Sequence, residues 1–224
     1  AVDVHTAALA DIPEFGQYKT VVVLMSDLDT LGKRLIDLMN WVQDGGSVLF
    51  GMTPAKTTYF DAVAARLGVQ SSSWEYKVAE SIVPTEDFML GGGQRYELSD
   101  PFQSSLSVSL RDEATVYART GDEGVPLVWA AASGAGRVVV DNIGIYNKVL
   151  RGVYAASYSL LNDATVYPVI NGAVFYLDDF PSPVPGGDGT YIRRDYGMSI
   201  ADFYSKVWEN RSCKLLLLQL PSDI

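Results

Sequence analysis

Two adjacent carboxylates, Asp178 and Asp179, are the sharpest chemical feature of this sequence. They follow the apolar stretch Ala173–Leu177, which predicts a short buried strand, and α/β folds place their sites at the carboxyl ends of such strands. One carboxylate of such a pair can bind a metal ion while the other accepts a proton, because their proximity drives their pKa values apart. Neighbouring side chains of a regular strand point to opposite faces, so this chemistry requires a bend or bulge. The alternative is a solvated strand end whose carboxylates cap loop amides.

The segment around this pair, VFYLDDFPSPVPGG, resembles the first motif of NodB-type polysaccharide deacetylases. Together with DYGMSIADFYSKVW downstream, residues 170–208 look like the start of an uncharacterised, DUF2194-like bacterial family of the glycoside hydrolase/deacetylase superfamily. The resemblance implies a β/α barrel that uses the first Asp as general base and the second as ligand of a divalent metal that activates water. On this resemblance Asp178 is the general base and Asp179 is the metal ligand.

The rest of the deacetylase metal site has no counterpart in the sequence. The resemblance implies two histidine ligands in a downstream HxxxH-like motif, whereas the only histidine is His5. The chain also ends at Ile224, before a β/α barrel of ordinary length would be complete. We therefore expect residues 166–224 to be a truncated N-terminal part of a deacetylase-like domain with an atypical tail. We expect no cofactor in this chain and a zinc-like divalent metal only in the full-length protein.

The elements that precede this segment predict an α/β domain over residues 1–165. Val21–Met25 is a continuous apolar run, as is typical of a parallel strand buried on both faces, and the runs Ser47–Phe50 and Val138–Asn142 predict two further buried strands. Between the first two runs, Leu35, Leu38 and Val42 recur at helical spacing. Because a parallel crossover needs an intervening helix, we predict a parallel sheet with helices on both faces and these runs as adjacent interior strands. Between residues 69 and 110 the periodicity weakens, which indicates an insertion or a sheet edge.

This first domain more loosely resembles the flavodoxin-like, class I glutamine-amidotransferase-like fold, with a first strand and helix expected to be missing. Amidotransferases carry a catalytic cysteine on a tight turn between a strand and a helix. The matching turn here is Gly51-Met52-Thr53, and the only cysteine of the chain is Cys213. The resemblance therefore implies a domain without thiol catalysis, and Thr53 would be a nucleophile without a base.

Composition excludes several classes of partner and enzyme. The net charge of −10 at neutral pH offers no basic face for nucleic acid or for an anionic membrane. One cysteine and one histidine exclude cysteine–histidine proteases and multi-histidine metal sites. No apolar run approaches the 18 residues that a transmembrane helix needs, so we expect no membrane insertion. The apolar run Leu215–Leu218 and the predicted helix Ser199–Trp208 indicate self-association through residues 170–224 as an alternative to docking within the chain.

Two functions remain open at this stage. The first is a fragment of a carbohydrate-active, polysaccharide deacetylase-like protein, related to metal-dependent hydrolases but itself non-catalytic. The alternative is a noncatalytic carbohydrate-binding or scaffold module of a cell-surface protein, because 13 Tyr and 4 Trp include enough aromatic rings for sugar stacking. The resemblance implies a polysaccharide or surface glycan as partner and a location outside the cell or in the cell envelope, and composition leaves the cytoplasm open.

Overall fold

The computed structural model describes residues 2–7, 12–121, 123–144 and 147–162. The chain divides into two units, Ala1–Tyr167 and Pro168–Ile224, and every described residue belongs to the first. Asp178, Asp179 and the proposed deacetylase-like segment 166–224 lie outside the described residues, so the assignment of that segment stays a prediction.

Seven strands and three helices make up the described part of the chain. The strands are β1 (Thr20–Val23), β2 (Ser47–Phe50), β3 (Val69–Pro84), β4 (Tyr96–Leu110), β5 (Thr115–Thr120), β6 (Pro126–Ser133) and β7 (Gly136–Asp141). The helices are α1 (Lys33–Gln43), α2 (Thr58–Val63) and α3 (Arg151–Ser159), with 3-10 turns at Phe15–Gln17, Leu28–Leu31, Ala64–Leu67 and Lys148–Leu150. None of the described helices is long and apolar enough to span a bilayer.

The strands form one mixed sheet in the order β1-β2-β7-β6-β5-β3-β4. The first three are parallel, with Val22 opposite Leu49 and Val48 opposite Val138, and the other pairs are antiparallel. The predicted α/β class and the adjacency of the three predicted buried runs are confirmed. The sheet is parallel only in this trio, however, and β1 lies at its edge rather than in its interior.

Helices cover both faces of the parallel trio. Leu35, Leu38 and Val42 of α1 are buried in one core together with Val48 and Phe50 of β2. Leu49, between those two residues, points to the other face and packs in a second core with Val153 of α3. Alternation along a strand buried on both faces produces this division, and the predicted two-sided helix cover is confirmed.

The stretch of weak periodicity folds as a long antiparallel ribbon of β3 and β4. Its register shifts four times, including between Ser72 and Tyr76, because β-bulges insert unpaired residues. Only the end of β3 pairs with β5, at Ile82–Pro84, so most of the ribbon extends beyond its neighbour. The expected sheet edge is therefore an ordered, curved ribbon. Its path determines whether the carboxyl ends of the parallel strands are covered or open.

Candidate functional site

The carboxyl ends of β2 and β7 form the topological switch point of the sheet. The chain leaves β2 toward α2, in the core that contains α1, and leaves β7 toward α3 on the opposite face. Open α/β sheets bind their ligands in the crevice that such diverging loops create. The predicted turn Gly51-Met52-Thr53 lies at this point, directly after β2.

The crevice at this switch point is closed by its own loops. The backbone N–H of Thr53 donates to the carbonyl of Ile143 at 3.3 Å, and the Ser26 hydroxyl donates to the carbonyl of Thr53 at 2.5 Å. Thr53 is only 2% exposed, and its hydroxyl has no hydrogen-bond partner among the described residues. A substrate cannot reach this hydroxyl, so the position does not serve as a nucleophile in this conformation.

The β3–β4 ribbon seals the same edge through Asn142, which directly follows β7. The side-chain oxygen of Asn142 accepts from Leu106 N–H at 2.8 Å, and its amide donates to the carbonyls of Leu106 at 2.9 Å and Pro126 at 2.8 Å. The hydroxyl of Ser105 donates to the carbonyl of Asn142 at 2.9 Å. Asn142 thereby ties β4 to the ends of β6 and β7 in a site without solvent, and sequence reasoning did not single it out.

The neighbouring Asp141 is a buried carboxylate that sequence reasoning also missed. It is fully buried, and neither carboxylate oxygen has a hydrogen-bond partner among the described residues. Burial raises the pKa of Asp141 to about 7. The effect of burial outweighs that of the Ser157 hydroxyl, which lowers this pKa but donates its proton to the carbonyl of Val153 at 3.0 Å. The available signal was the polar pair DN directly after VVV, where a parallel strand ends at the switch point.

The described residues provide no candidate metal site. No group of three or more His, Cys, Asp or Glu side chains in them could hold a metal ion. The site residues predicted from the sequence, Asp178 and Asp179, lie outside the described residues, and their roles as general base and metal ligand stay predictions.

An aromatic surface lies at the opposite end of the parallel strands. Two shallow grooves meet at Trp41 and Asp44, with volumes of about 370 Å³ and about 390 Å³. The first also contains Tyr18 and Lys19, and the second is lined further by Glu14, Asp37 and Asn40. Lys19 immediately precedes β1, which places these grooves at the amino ends of the strands. We call this surface the Trp41 groove.

Packing fixes the indole ring at the centre of the groove. A Cβ atom at Gly46 would overlap the indole of Trp41, so the ring lies directly on a glycine backbone. The Phe15 ring packs against it, with centroids 6.2 Å apart and planes tilted by 40°. Gly46 follows Gly45, whose φ is +116°, a conformation that glycine adopts without strain. The two-glycine turn after α1 therefore both ends the helix and holds the aromatic ring in place.

Arg34 holds the outer wall of the groove. It forms ion pairs with Glu14 at 3.5 Å and Asp37 at 3.1 Å, and its guanidinium lies 4.8 Å from the centroid of Phe15. It also donates to the carbonyls of Ile12 at 3.1 Å and Pro13 at 2.8 Å. These contacts tie the entry segment to α1, so the wall is already formed before any ligand binds.

A second exposed aromatic ring, Trp74, lies on the ribbon. It is 74% exposed, and the ammonium of Lys56 lies 5.6 Å from its ring centroid. Lys56 is also paired with Asp61. Trp74 lines neither of the two grooves at Trp41, so its ring provides a comparison for an exposed tryptophan outside that surface.

A protein-family model matches most of the chain. The model is described as "Uncharacterised protein conserved in bacteria (DUF2194)" and matches residues 1–110 and 94–215. A search of curated proteins found no match to the sequence.

Solved structures resemble the described fold at low sequence identity. Cytoplasmic protein STM3548 from Salmonella typhimurium is 13% identical, with a TM-score of 0.51 over 69% of this chain and 75% of that one. The N-terminal domain of mmIFT52 is 12% identical, with a TM-score of 0.50 over 74% and 84%. The exo-β-1,4-mannosidase Op5Man5 from Opitutaceae bacterium strain TAV5 is 21% identical, with a TM-score of 0.45 over 68% of this chain. This chain spans only 27% of that mannosidase. The first two likenesses show the fold alone.

Proposed function

Because this chain belongs to the bacterial DUF2194 family, we propose that it is a non-catalytic, carbohydrate-binding part of a polysaccharide deacetylase-like protein. The observation that carries the binding role is the Trp41 groove, which joins two aromatic rings to an exposed carboxylate, Asp44. The deacetylase affiliation is supported by the motif around Asp178 and Asp179. The proposed location is the cell envelope or outside the cell, where a surface glycan would be the partner.

The chemistry of the groove suits a sugar chain. Aromatic rings offer an apolar face on which the C–H groups of a sugar ring can pack, and their edges remain near water. Asp44, Asp37 and Asn40 supply planar polar groups beside Trp41, and sites of this kind use a few such groups to fix orientation. Both grooves are shallow, which favours an extended polymer over an enclosed small molecule.

Calorimetric titration with chitohexaose, with soluble glucan and mannan oligosaccharides in parallel, tests the binding role. We expect Trp41→Ala to weaken binding at least tenfold, since stacking on one aromatic ring contributes on the order of 1 kcal/mol beyond the apolar area that it buries. Trp74→Ala removes an equally large, exposed ring outside the groove and should leave the affinity unchanged. Circular dichroism of both variants checks that the fold is retained.

A second variant keeps this test decisive if Trp41→Ala unfolds. Asp44→Ala removes a surface carboxylate that makes no ion pair within the described residues, and we expect it to lower the affinity severalfold without a change in stability. The proposal is wrong if none of the oligosaccharides binds at millimolar concentration, or if both groove variants bind like the wild type.

A zinc titration tests whether this chain, unlike the proposed full-length deacetylase-like protein, lacks a working metal site. Structural and catalytic zinc sites use at least three protein ligands, and the resemblance supplies only Asp179 with Asp178 beside it. We therefore expect zinc titration of the full 224-residue chain to give binding weaker than micromolar. Micromolar or tighter binding that disappears in the Asp178→Asn/Asp179→Asn variant would contradict the non-catalytic assignment.

A further inference from the structure

The charges that line the Trp41 groove are not balanced. Its carboxylates and cations belong to Glu14, Asp37 and Asp44 and to Lys19 and Arg34, respectively. Arg34 already forms ion pairs with both Glu14 and Asp37, whereas Asp44 has no ion pair within the described residues. Asp44 is exposed and lines both grooves. The point where the grooves meet therefore carries an unpaired negative charge.

The carboxyl end of α1 adds to this negative potential. Aligned peptide dipoles place about half an elementary negative charge at such an end, where a lysine or arginine is favourable. α1 has no basic residue in its last turn, and its C-cap residue is Asp44. Arg66 approaches the same end, but it donates to the side-chain oxygens of Asn40 and Gln43 and lines neither groove. The Asp44 carboxylate and the helix end repel each other, and a bound cation would relieve this repulsion.

The indole ring of Trp41 favours a cation at the same point. An ammonium group within about 6 Å of an aromatic centroid is attracted by the ring, most strongly by tryptophan. The ring of Trp41 is held by Gly46 and Phe15, so no ordering of this side chain is needed when a ligand binds. A ring beside an unpaired carboxylate can bind both parts of an amino sugar, because the ring packs against the C–H groups and the carboxylate accepts from the ammonium.

We propose that the Trp41 groove selects a polysaccharide whose sugars carry free amines, such as a glucosamine polymer, over the neutral N-acetylated form of the same polymer. This inference rests on the proposed sugar-binding function and adds the class of sugar. Asp44 pairs with the protonated amine of a sugar ring that stacks on Trp41. Removal of acetyl groups from an N-acetylated polymer yields such amines, so the chain holds the product of the reaction proposed for the full-length protein.

Calorimetric titration with a matched pair of ligands tests this selectivity. The pair consists of chitohexaose and the glucosamine hexamer, which differ only in the acetyl groups. At about pH 6 the amines are protonated and the carboxylates are ionised. We expect the wild type to bind the glucosamine hexamer about tenfold more tightly at low salt. The preference should largely disappear in about 1 M sodium chloride, where the Debye length falls to about 3 Å.

Three variants assign the preference to the groove. Asp44→Asn keeps the shape of the side chain and removes its charge, so it should reduce the tenfold preference to roughly twofold. Lys19→Gln removes the cation of the first groove and should increase the preference severalfold. Asp112→Asn makes the same change as Asp44→Asn at an exposed position that lines neither groove, and it should bind like the wild type. Circular dichroism checks that each variant keeps the fold.

The outcomes separate the selectivity from the function on which it rests. Equal affinity for the two hexamers, or a preference that Asp44→Asn leaves unchanged, overturns the selectivity while sugar binding stands. If neither hexamer binds at millimolar concentration, the selectivity and the proposed sugar-binding function both fail. Hexalysine offers as many side-chain ammonium groups without a sugar ring, and we expect it to bind at least tenfold more weakly than the glucosamine hexamer. Equal or tighter binding of hexalysine would identify a basic peptide as the ligand and overturn the inference.

Discussion

Replacing Asn142 by leucine is expected to destabilise the first unit by roughly 3–5 kcal/mol. The substitution keeps the side-chain volume similar but removes three hydrogen bonds at once. It takes the Asn142 side chain away from the N–H and carbonyl of Leu106 and from the carbonyl of Pro126, in a site that water does not reach. Each such group costs about 1–3 kcal/mol when it stays buried and unpaired.

Urea unfolding followed by circular dichroism measures this loss, and Asn162→Leu at an exposed position is the matched control. Hydrogen exchange adds a local readout, because the amide of Leu106 should lose protection in Asn142→Leu and keep it in the control. A loss below 1 kcal/mol with unchanged protection of Leu106 would mean that the ribbon is held over the switch point by apolar packing instead.

The parallel part of the fold could be predicted because burial imposes a clear pattern on its sequence. The run Val21–Met25 is apolar without interruption, and Leu35, Leu38 and Val42 repeat at helical spacing. All three side chains of α1 are buried as predicted. The helix itself begins only at Lys33, after a 3-10 turn at Leu28–Leu31. Hydrophobic periodicity reports on the middle of an element, whereas its ends depend on local turns.

The ribbon was harder to predict because its strands have no consistently buried face. Ser71 and Trp74 of β3 are exposed, whereas Ala79 and Ile82 farther along the same strand are buried. The bulges also change which face each residue occupies. An alternating pattern cannot persist through such a strand, and its absence was interpreted as an insertion or sheet edge.

The site could be predicted less completely than the fold. Sequence reasoning identified the turn at Gly51–Thr53 and its lack of a thiol. It did not predict that Asn142 ties β4 over this edge of the sheet, because no sequence pattern indicates a hydrogen bond between residues 36 positions apart. For the Trp41 groove, the sequence indicated only that the chain has enough aromatic residues for sugar stacking, without giving their position. Its position depends on the packing of Trp41 over Gly46, which appears only when α1 and the following turn are placed together.

Asp141 should make the stability of the first unit depend on pH. Its pKa is about 7 in the folded state and about 3.9 in an unfolded chain. Between these values the folded state binds more protons than the unfolded state, so stability falls as pH rises. The contribution is fully lost once the pH exceeds the folded pKa. A shift of this size corresponds to an energy on the order of 4 kcal/mol.

Asp141→Asn should remove this dependence, because the amide is similar in shape and carries no charge at any pH. Urea unfolding of both proteins from pH 4 to pH 8 measures the difference. We expect the variant to gain stability relative to the wild type as the pH rises to about 7, and the gain to level off above that. The matched control, Asp112→Asn, makes the same change at an exposed position and should follow the wild-type profile.

The location of Asp141 also predicts where the structure should loosen first. The carboxylate lies at the end of β7, and the polar side chain that acts on its pKa is Ser157 of α3. Ionisation is relieved most directly if α3 separates from the sheet and admits water, because the β7 backbone is held by β2 and β6. Amide exchange in α3, corrected for the intrinsic pH dependence, should therefore accelerate between pH 6 and pH 8 in the wild type and remain constant in Asp141→Asn. Equal acceleration in both proteins would show that the buried carboxylate does not control the docking of α3.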